Sequence, residues 1–159
     1  MKLVKNEEIE LTIDDLGNEG EGIGHLNGYT LFVKGALPGE HIRAKMLKTK
    51  KGYGFARLLE ILSPSKDRVV PKCAVAGPCG GCTLQHLSYD AQLRFKEKKV
   101  RDCLERIGGV DLSSVEVQPI LGMEEGEQWH YRNKAQFPVG LSKDGQPVAG
   151  FYTGRTHSV

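Results

Sequence analysis

Residues 6–62 fall into short runs in which apolar and polar side chains alternate, separated by glycine-bearing turns, and that rhythm admits few folds. Ile9-Glu-Leu11-Thr-Ile13 alternates strictly, Gly17 to Gly24 is a glycine-punctuated turn region, and Tyr29-Thr-Leu-Phe-Val33 is a strand heading into Leu37-Pro-Gly39. His41-Ile-Arg-Ala-Lys-Met46 and Tyr53-Gly-Phe-Ala-Arg-Leu-Leu-Glu-Ile-Leu62 supply two more, joined by the basic turn Lys48-Thr-Lys50-Lys51-Gly52. About five strands with glycine turns predict a small closed barrel of the oligonucleotide-binding type over residues 1–64.

The net charge of +2 hides an asymmetry along this region. Residues 1–30 carry two lysines against seven acids, whereas residues 31–60 carry seven basic residues against Glu40 and Glu60. The barrel is thus expected to have an anionic and a cationic side, the second suited to phosphate. Barrels of this type bind nucleic acid with cations for the phosphates and aromatic rings for the bases. Lys48, Lys50, Lys51, Tyr53 and Phe55 form such a mixture. The competing reading puts Phe55 in the core and assigns the lysines to protecting a strand edge. Arg132 and Lys134 are a second candidate RNA patch, unless they pair with a carboxylate.

Residues 65–87 are a linker and a cysteine loop. Cys73-Ala-Val-Ala-Gly-Pro-Cys79-Gly-Gly-Cys82 spaces three cysteines as C-x5-C-x2-C in a stretch too rich in glycine and proline for regular structure. Gly77, Gly80 and Gly81 let the backbone curl so that thiolates converge and amide N–H groups face sulfur, which marks a metal loop. Adding His86 would complete a zinc tetrahedron. Three cysteines in one loop with a distant fourth is instead a common arrangement for a cubane iron–sulfur cluster.

From Ser88 to Gly108-Gly109 the pattern is a helix, with Leu93, Lys96, Val100, Cys103, Leu104 and Ile107 on one face. Cys103 on that stripe reads as a small buried hydrophobe, with a fourth metal ligand as the alternative. Beyond it, Val115-Glu-Val117 and Tyr131 to Val139 are expected strands. Lys143-Asp144-Gly145 is a hairpin turn into Val148-Ala-Gly-Phe-Tyr152. The whole is mainly β with an α+β portion, residues 88–159 forming the start of an antiparallel central domain.

Four cysteines are too few for a disulfide scaffold, and there is no signal-peptide pattern at the start, so a cytoplasmic protein is expected. No apolar run approaches the roughly 18 residues of a membrane span, and 39% apolar with 26% charged residues is ordinary globular composition. A monomer is expected.

The run from Cys79-Gly-Gly-Cys82 through Gln85-His86 to Gln92-Leu-Arg-Phe-Lys96, followed by Arg106-Ile-Gly-Gly109 and Tyr131-Arg-Asn-Lys134, resembles the iron–sulfur segment of the S-adenosylmethionine-dependent RNA uracil-5 methyltransferases. Leu37-Pro-Gly-Glu40 and Tyr53-Gly-Phe-Ala-Arg57 resemble the TRAM domain of the same family. The resemblance implies RNA as partner, 23S rRNA ahead of tRNA, and a 4Fe-4S cluster held by Cys73, Cys79 and Cys82. Its fourth ligand would lie beyond Val159, just past a segment like Gly150 to Ser158. It also implies that S-adenosylmethionine, the cysteine nucleophile and the base belong to a C-terminal Rossmann-like domain absent from these residues. No glycine-rich cofactor loop follows a strand here. No catalytic residue is assigned, and the chain alone is expected to be inactive. The alternative is a free-standing RNA-binding module with a structural zinc or iron–sulfur site.

Overall fold

The computed structural model describes residues 3–154, Thr156, Ser158 and Val159. Five strands close into a barrel: β1 (Glu8–Leu16), β2 (Gly22–Leu26), β3 (Tyr29–Lys34), β4 (His41–Thr49) and β5 (Tyr53–Ser63). Their order is β1-β2-β3-β5-β4, with β4 pairing back onto β1. Every pair is antiparallel except β3 with β5, which run parallel. Alternation decides which side chains fill the interior. Ile9, Leu11 and Ile13 enter from β1, Leu31 and Val33 from β3, Ile42, Ala44 and Met46 from β4, and Ala56 from β5. Closure removes the sheet edges that an open array of these strands would expose.

The stretch from Gly17 to Gly24, read from the sequence as turn, is turn only in its first part, because β2 begins at Gly22. The glycines of β2 serve close packing. A Cβ on Gly24 would fall 2.4 Å from the Thr12 carbonyl oxygen, and one on Gly22 would fall 2.8 Å from that of Ala36. Here the missing side chain permits strand contact; it does not break the strand.

Leu37-Pro-Gly-Glu40 caps the barrel with a buried ion pair. Glu40 is fully buried and its carboxylate accepts from the Leu37 N–H at 2.9 Å, from Arg68 Nη2 at 2.9 Å and from Arg68 Nε. Arg68 Nη2 also donates to the Gly35 carbonyl at 2.6 Å. Burial pushes the Glu40 carboxyl up, but the Arg68 hydrogen bonds, the Leu37 N–H and the Arg68 charge together hold it below the usual carboxylate range.

Arg68 ties the segment after β5 to the barrel, so the first compact unit runs to Val70 and takes in His86–Phe95. Within it the Val69 N–H reaches the His86 carbonyl at 3.0 Å and the Ser88 N–H the Asp67 carbonyl at 2.8 Å, while Arg94 meets Asp67 at 2.9 Å. Leu87 and Ala91 are buried there.

Helix α1 (Tyr89–Asp102) starts directly after Ser88 and continues as a π turn, Cys103–Ile107, ending at Gly108. The apolar stripe expected along it is realised only in part. Leu93, Cys103 and Leu104 are half-buried, but Lys96 is exposed, and so are Val100 (54%) and Ile107 (82%). Two physical reasons account for this. The π turn shifts the periodicity that placed Ile107 on the stripe, and Val100 lies in a unit whose described residues include none that is buried.

That second unit comprises Pro71–Gln85 and Lys96–Val159. Its regular β-structure among the described residues is a ribbon of β6 (Val139–Leu141) and β7 (Pro147–Ala149), turned at Lys143-Asp144-Gly145 as expected. The strands expected at 115–117 and through 131–138 do not form. A ladder needs a partner, and the Val117 carbonyl instead accepts from Arg101 Nη2 at 3.2 Å.

Candidate nucleic-acid interface

Parallel pairing of β3 with β5 sets the chemistry of the barrel's outer face. Thr30 registers with Tyr53, Phe32 with Phe55 and Lys34 with Arg57; across β5, Lys48 registers with Phe55 and Lys45 with Arg57. Since Leu31, Val33, Met46 and Ala56 point inward, these residues point outward in rows. One row is aromatic and the next is cationic. The rings of Phe32 and Phe55 lie 5.6 Å apart at 30°, and Tyr53 stands nearly perpendicular to both, at 5.8 and 5.7 Å. Tyr53 (42%) and Phe55 (36%) are exposed, which excludes the core reading of Phe55.

Lys48, Lys50 and Lys51 lie at the tip joining β4 to β5 and are all exposed. Tyr29 fixes this tip. Its hydroxyl, with one proton to share between them, lies within hydrogen-bonding reach of the carbonyls of Lys50 (2.8 Å) and Tyr53, and it accepts from the Lys50 N–H at 3.1 Å. The Lys50 N–H also reaches the Tyr53 carbonyl at 2.8 Å. Arg43, by contrast, is held between Glu10 of β1 at 3.2 Å and Glu60 of β5 at 2.7 Å. The structure thus brings Lys48, Tyr53 and Phe55 together and adds Phe32, Lys34, Lys45 and Arg57, which the sequence reading missed. Alternation alone would have turned Phe32 outward between Leu31 and Val33. That it meets Phe55 depends on the parallel β3–β5 pairing, for which the sequence carries no local signal.

Arg132 and Lys134 lie in the second unit, exposed and without strand pairing. Neither pairs with a carboxylate among the described residues.

The cysteine loop is also in the second unit. Cys73 and Cys82 are exposed, Cys79 is half-buried, and all are free thiols. The loop is stitched to the segment after β7. The Gly80 N–H donates to the Tyr152 carbonyl and the Gly154 N–H to that of Pro78, both at 2.9 Å. The Gly81 N–H lies 3.3 Å from Cys79 Sγ, the N–H-to-sulfur approach expected of a thiolate-holding loop. A Cβ on Gly80 would meet the Tyr152 carbonyl oxygen at 2.7 Å, so that position requires glycine, and one on Gly81 would press on the Phe151 ring at 3.0 Å. This cradle and its thiol donors suit an iron–sulfur group. Among the described residues, however, no three His, Cys, Asp or Glu side chains gather so as to hold a single metal ion.

His86 belongs to the first unit. Burial, and then the charge of Arg68, hold its imidazole below the usual range, with Glu40 opposing, and its Nε2 is buried without a hydrogen-bond partner. Cys103 is half-buried in the π turn. In the segment from Gly150 to Ser158, Arg155 and His157 lie outside the described residues.

A closed five-stranded barrel with aromatic and cationic rows on its outer face belongs to the oligonucleotide-binding class of barrels. Residues 2–59, which carry β1 to β4 and most of β5, match the TRAM domain model. Over 98% of its length the chain is 52% identical to an uncharacterized RNA methyltransferase of Halalkalibacterium halodurans, covering 33% of that protein. It is also 52% identical over 99% of its length to one of Listeria monocytogenes, again covering 33%. The chain is thus similar over nearly its whole length to proteins named as RNA methyltransferases, and it spans about a third of the length of the curated relatives it matches. Among solved structures, the tRNA (uracil-54, C5)-methyltransferase of Pyrococcus abyssi, in complex with S-adenosyl-L-homocysteine, is 35% identical. That match covers 69% of this chain and 23% of the other, with a TM-score of 0.41. No described helix is long and apolar enough to cross a membrane.

Proposed function

We propose that the barrel is the RNA grip of a cytoplasmic RNA uracil-5 methyltransferase, with 23S rRNA as the target. Methyl transfer from S-adenosylmethionine would be carried out by protein outside these residues. The observation that carries this reading is the aromatic row Phe32, Tyr53 and Phe55 set beside Lys34, Arg57, Lys45 and the lysine tip. A uracil stacked within folded RNA is out of reach of an alkylating centre, so it must be extruded while the neighbouring strand is held. Rings that stack on bases and cations that follow phosphates supply that hold without chemistry of their own. The C-x5-C-x2-C loop is proposed to supply three ligands, Cys73, Cys79 and Cys82, to a 4Fe-4S cluster that orders the second unit. The glycine cradle and the approach of the Gly81 N–H to Cys79 support this.

A filter-binding salt titration with single-stranded RNA tests the grip. Replacing Lys48, Lys50 and Lys51 by alanine should weaken binding and lower the log–log salt slope by roughly 0.7 for each phosphate that is no longer neutralised. Tyr53→Ala should cost about 1–3 kcal/mol while leaving the slope nearly intact. A triple variant equal to wild type in both affinity and slope would remove the tip from the RNA surface.

A further inference from the structure

The ribbon of the second unit collects its exposed apolar side chains on one face. Val139 registers with Ala149 and Leu141 with Pro147. The Gly150 N–H donates to the Pro138 carbonyl at 3.2 Å and carries the pairing on to Phe137 and Phe151, whose ring centroids lie 5.1 Å apart. Side chains alternate across a ribbon, so these three cross-strand pairs share a face. All six residues are apolar and all six are exposed, Val139 by 74% and Leu141 by 73%. The opposite face is already covered. It presents Gly140 and Gly150, where a Cβ would fall 3.4 and 3.3 Å from the Val159 side chain, and Val148 beside them is half-buried.

A two-stranded ribbon is marginal by itself and becomes stable when a face packs on a further element. With no charge among its six residues, this face suits an apolar partner and not a polyanion, which requires cations. Its size selects the kind of partner. Three pairs on two strands span roughly 14 by 10 Å, a few hundred Å2 of surface at most. A separate protein or a second copy of the chain needs about 800 Å2 on each side for a stable interface. Polypeptide tethered to the ribbon needs far less, because the contact is then intramolecular. The curated relatives possess such polypeptide, since this chain matches only 33% of their length.

Resting on the reading that methyl transfer is carried out by protein outside these residues, we propose that this face docks the remainder of a longer polypeptide. The occupant is an apolar helix or strand face within the two thirds of the relatives' length that this chain does not span.

The test is amide hydrogen exchange over residues 137–151. It is measured in the 159-residue chain and in a chimera, the Halalkalibacterium halodurans relative with this chain in place of its matching third. In the isolated chain these amides should exchange fast at every protein concentration. In the chimera they should slow by on the order of a hundredfold or more, because the ribbon then opens only with whatever covers it. Leu141→Lys should undo that slowing while leaving the urea midpoint of the isolated chain where it was. If the chimera fails to fold, the unaltered relative serves, and the segment matching 137–151 should be protected there. Fast exchange of that segment in the whole relative would overturn the proposal. So would slowing in the isolated chain that grows with concentration as its mass doubles, which would give the face to a second copy, or slowing on addition of uridine RNA, which would give it to the nucleic acid. Methyl transfer to uracil by the whole relative is assayed separately, and its absence would sink the functional reading without moving the exchange result.

Discussion

The two units of this chain are built from similar residues and reach opposite outcomes. In the barrel, Ile13, Leu31, Val33, Ile42 and Met46 are all 1% exposed or less. In the second unit Phe137, Val139, Leu141, Phe151 and Tyr152 are exposed by 43 to 74%, and no described residue is buried. Phe137 and Phe151 do meet, at 5.1 Å, but on the surface. The difference is one of closure. Five strands whose ladders return to the first put every second side chain on one enclosed side. A ribbon of two three-residue strands has no enclosed side, so its apolar residues have nowhere to go. Apolar content supplies the driving force for burial, but topology decides whether that force finds a core.

The sharpest way to break the contrast is at the buried Glu40 of the barrel. Arg68→Ala would leave Glu40 ionised inside the fold with its main partner gone, a change that typically costs about 3–5 kcal/mol. The pH response carries a distinct sign. Because the Glu40 carboxyl is held below its unfolded value, the pair stabilises the wild-type barrel above the ordinary carboxylate range, and that stabilisation is lost as pH falls through the folded value. In Arg68→Ala burial acts unopposed by the guanidinium and raises the carboxyl, so the variant should be most impaired near neutrality and recover in part in acid. Urea melts from pH 3 to 8 would show it. A parallel offset at all pH values would mean that Arg68 acts through packing alone.

The same comparison explains what could be read without coordinates. The barrel was legible because strict alternation at Ile9–Ile13 and around Leu31 and Val33 reports burial on one side, and a closed sheet honours that pattern at every position. β2 was hidden because Gly22 and Gly24 look like turn residues, whereas their lack of a side chain serves close approach to Ala36 and Thr12. Tyr53 and Phe55 stood out beside their lysines. Phe32 did not, since its partnership with Phe55 comes from a parallel pairing between strands distant in sequence. In the second unit, the patterns at Val115–Val117 and from Tyr131 promised strands, but 115–117 and 131–138 have no ladder partner and only Val139 joins β6, and helical spacing promised a stripe that Val100 and Ile107 leave in solvent.

A matched pair of leucine truncations measures the contrast directly. Leu31→Ala removes a fully buried side chain from the barrel centre and should cost about 2–5 kcal/mol. Leu141→Ala removes one that is 73% exposed and should stay within about 0.5 kcal/mol. Equal costs by chemical denaturation would mean that Leu141 is covered in solution, and the second unit would then have a core after all.

At the cysteines the effects on stability are again small, and the measured quantity is iron. If the proposed cluster orders the second unit, anaerobic reconstitution with iron and sulfide should load the protein, and Cys79→Ala should abolish loading, since Cys79 is the half-buried thiol that the Gly81 N–H faces. Cys103→Ala should load as wild type does and cost under about 1 kcal/mol, because its thiol is only half-buried and an alanine continues the chain there without a polar loss. Loading should also slow amide exchange in residues 71–85, which are now held by a few backbone bonds to the segment after β7. Stoichiometric zinc without iron or acid-labile sulfide would replace the cluster by a single-ion site. Iron loss in Cys103→Ala matching that in Cys79→Ala would make Cys103 the fourth ligand and favour a free-standing RNA-binding module.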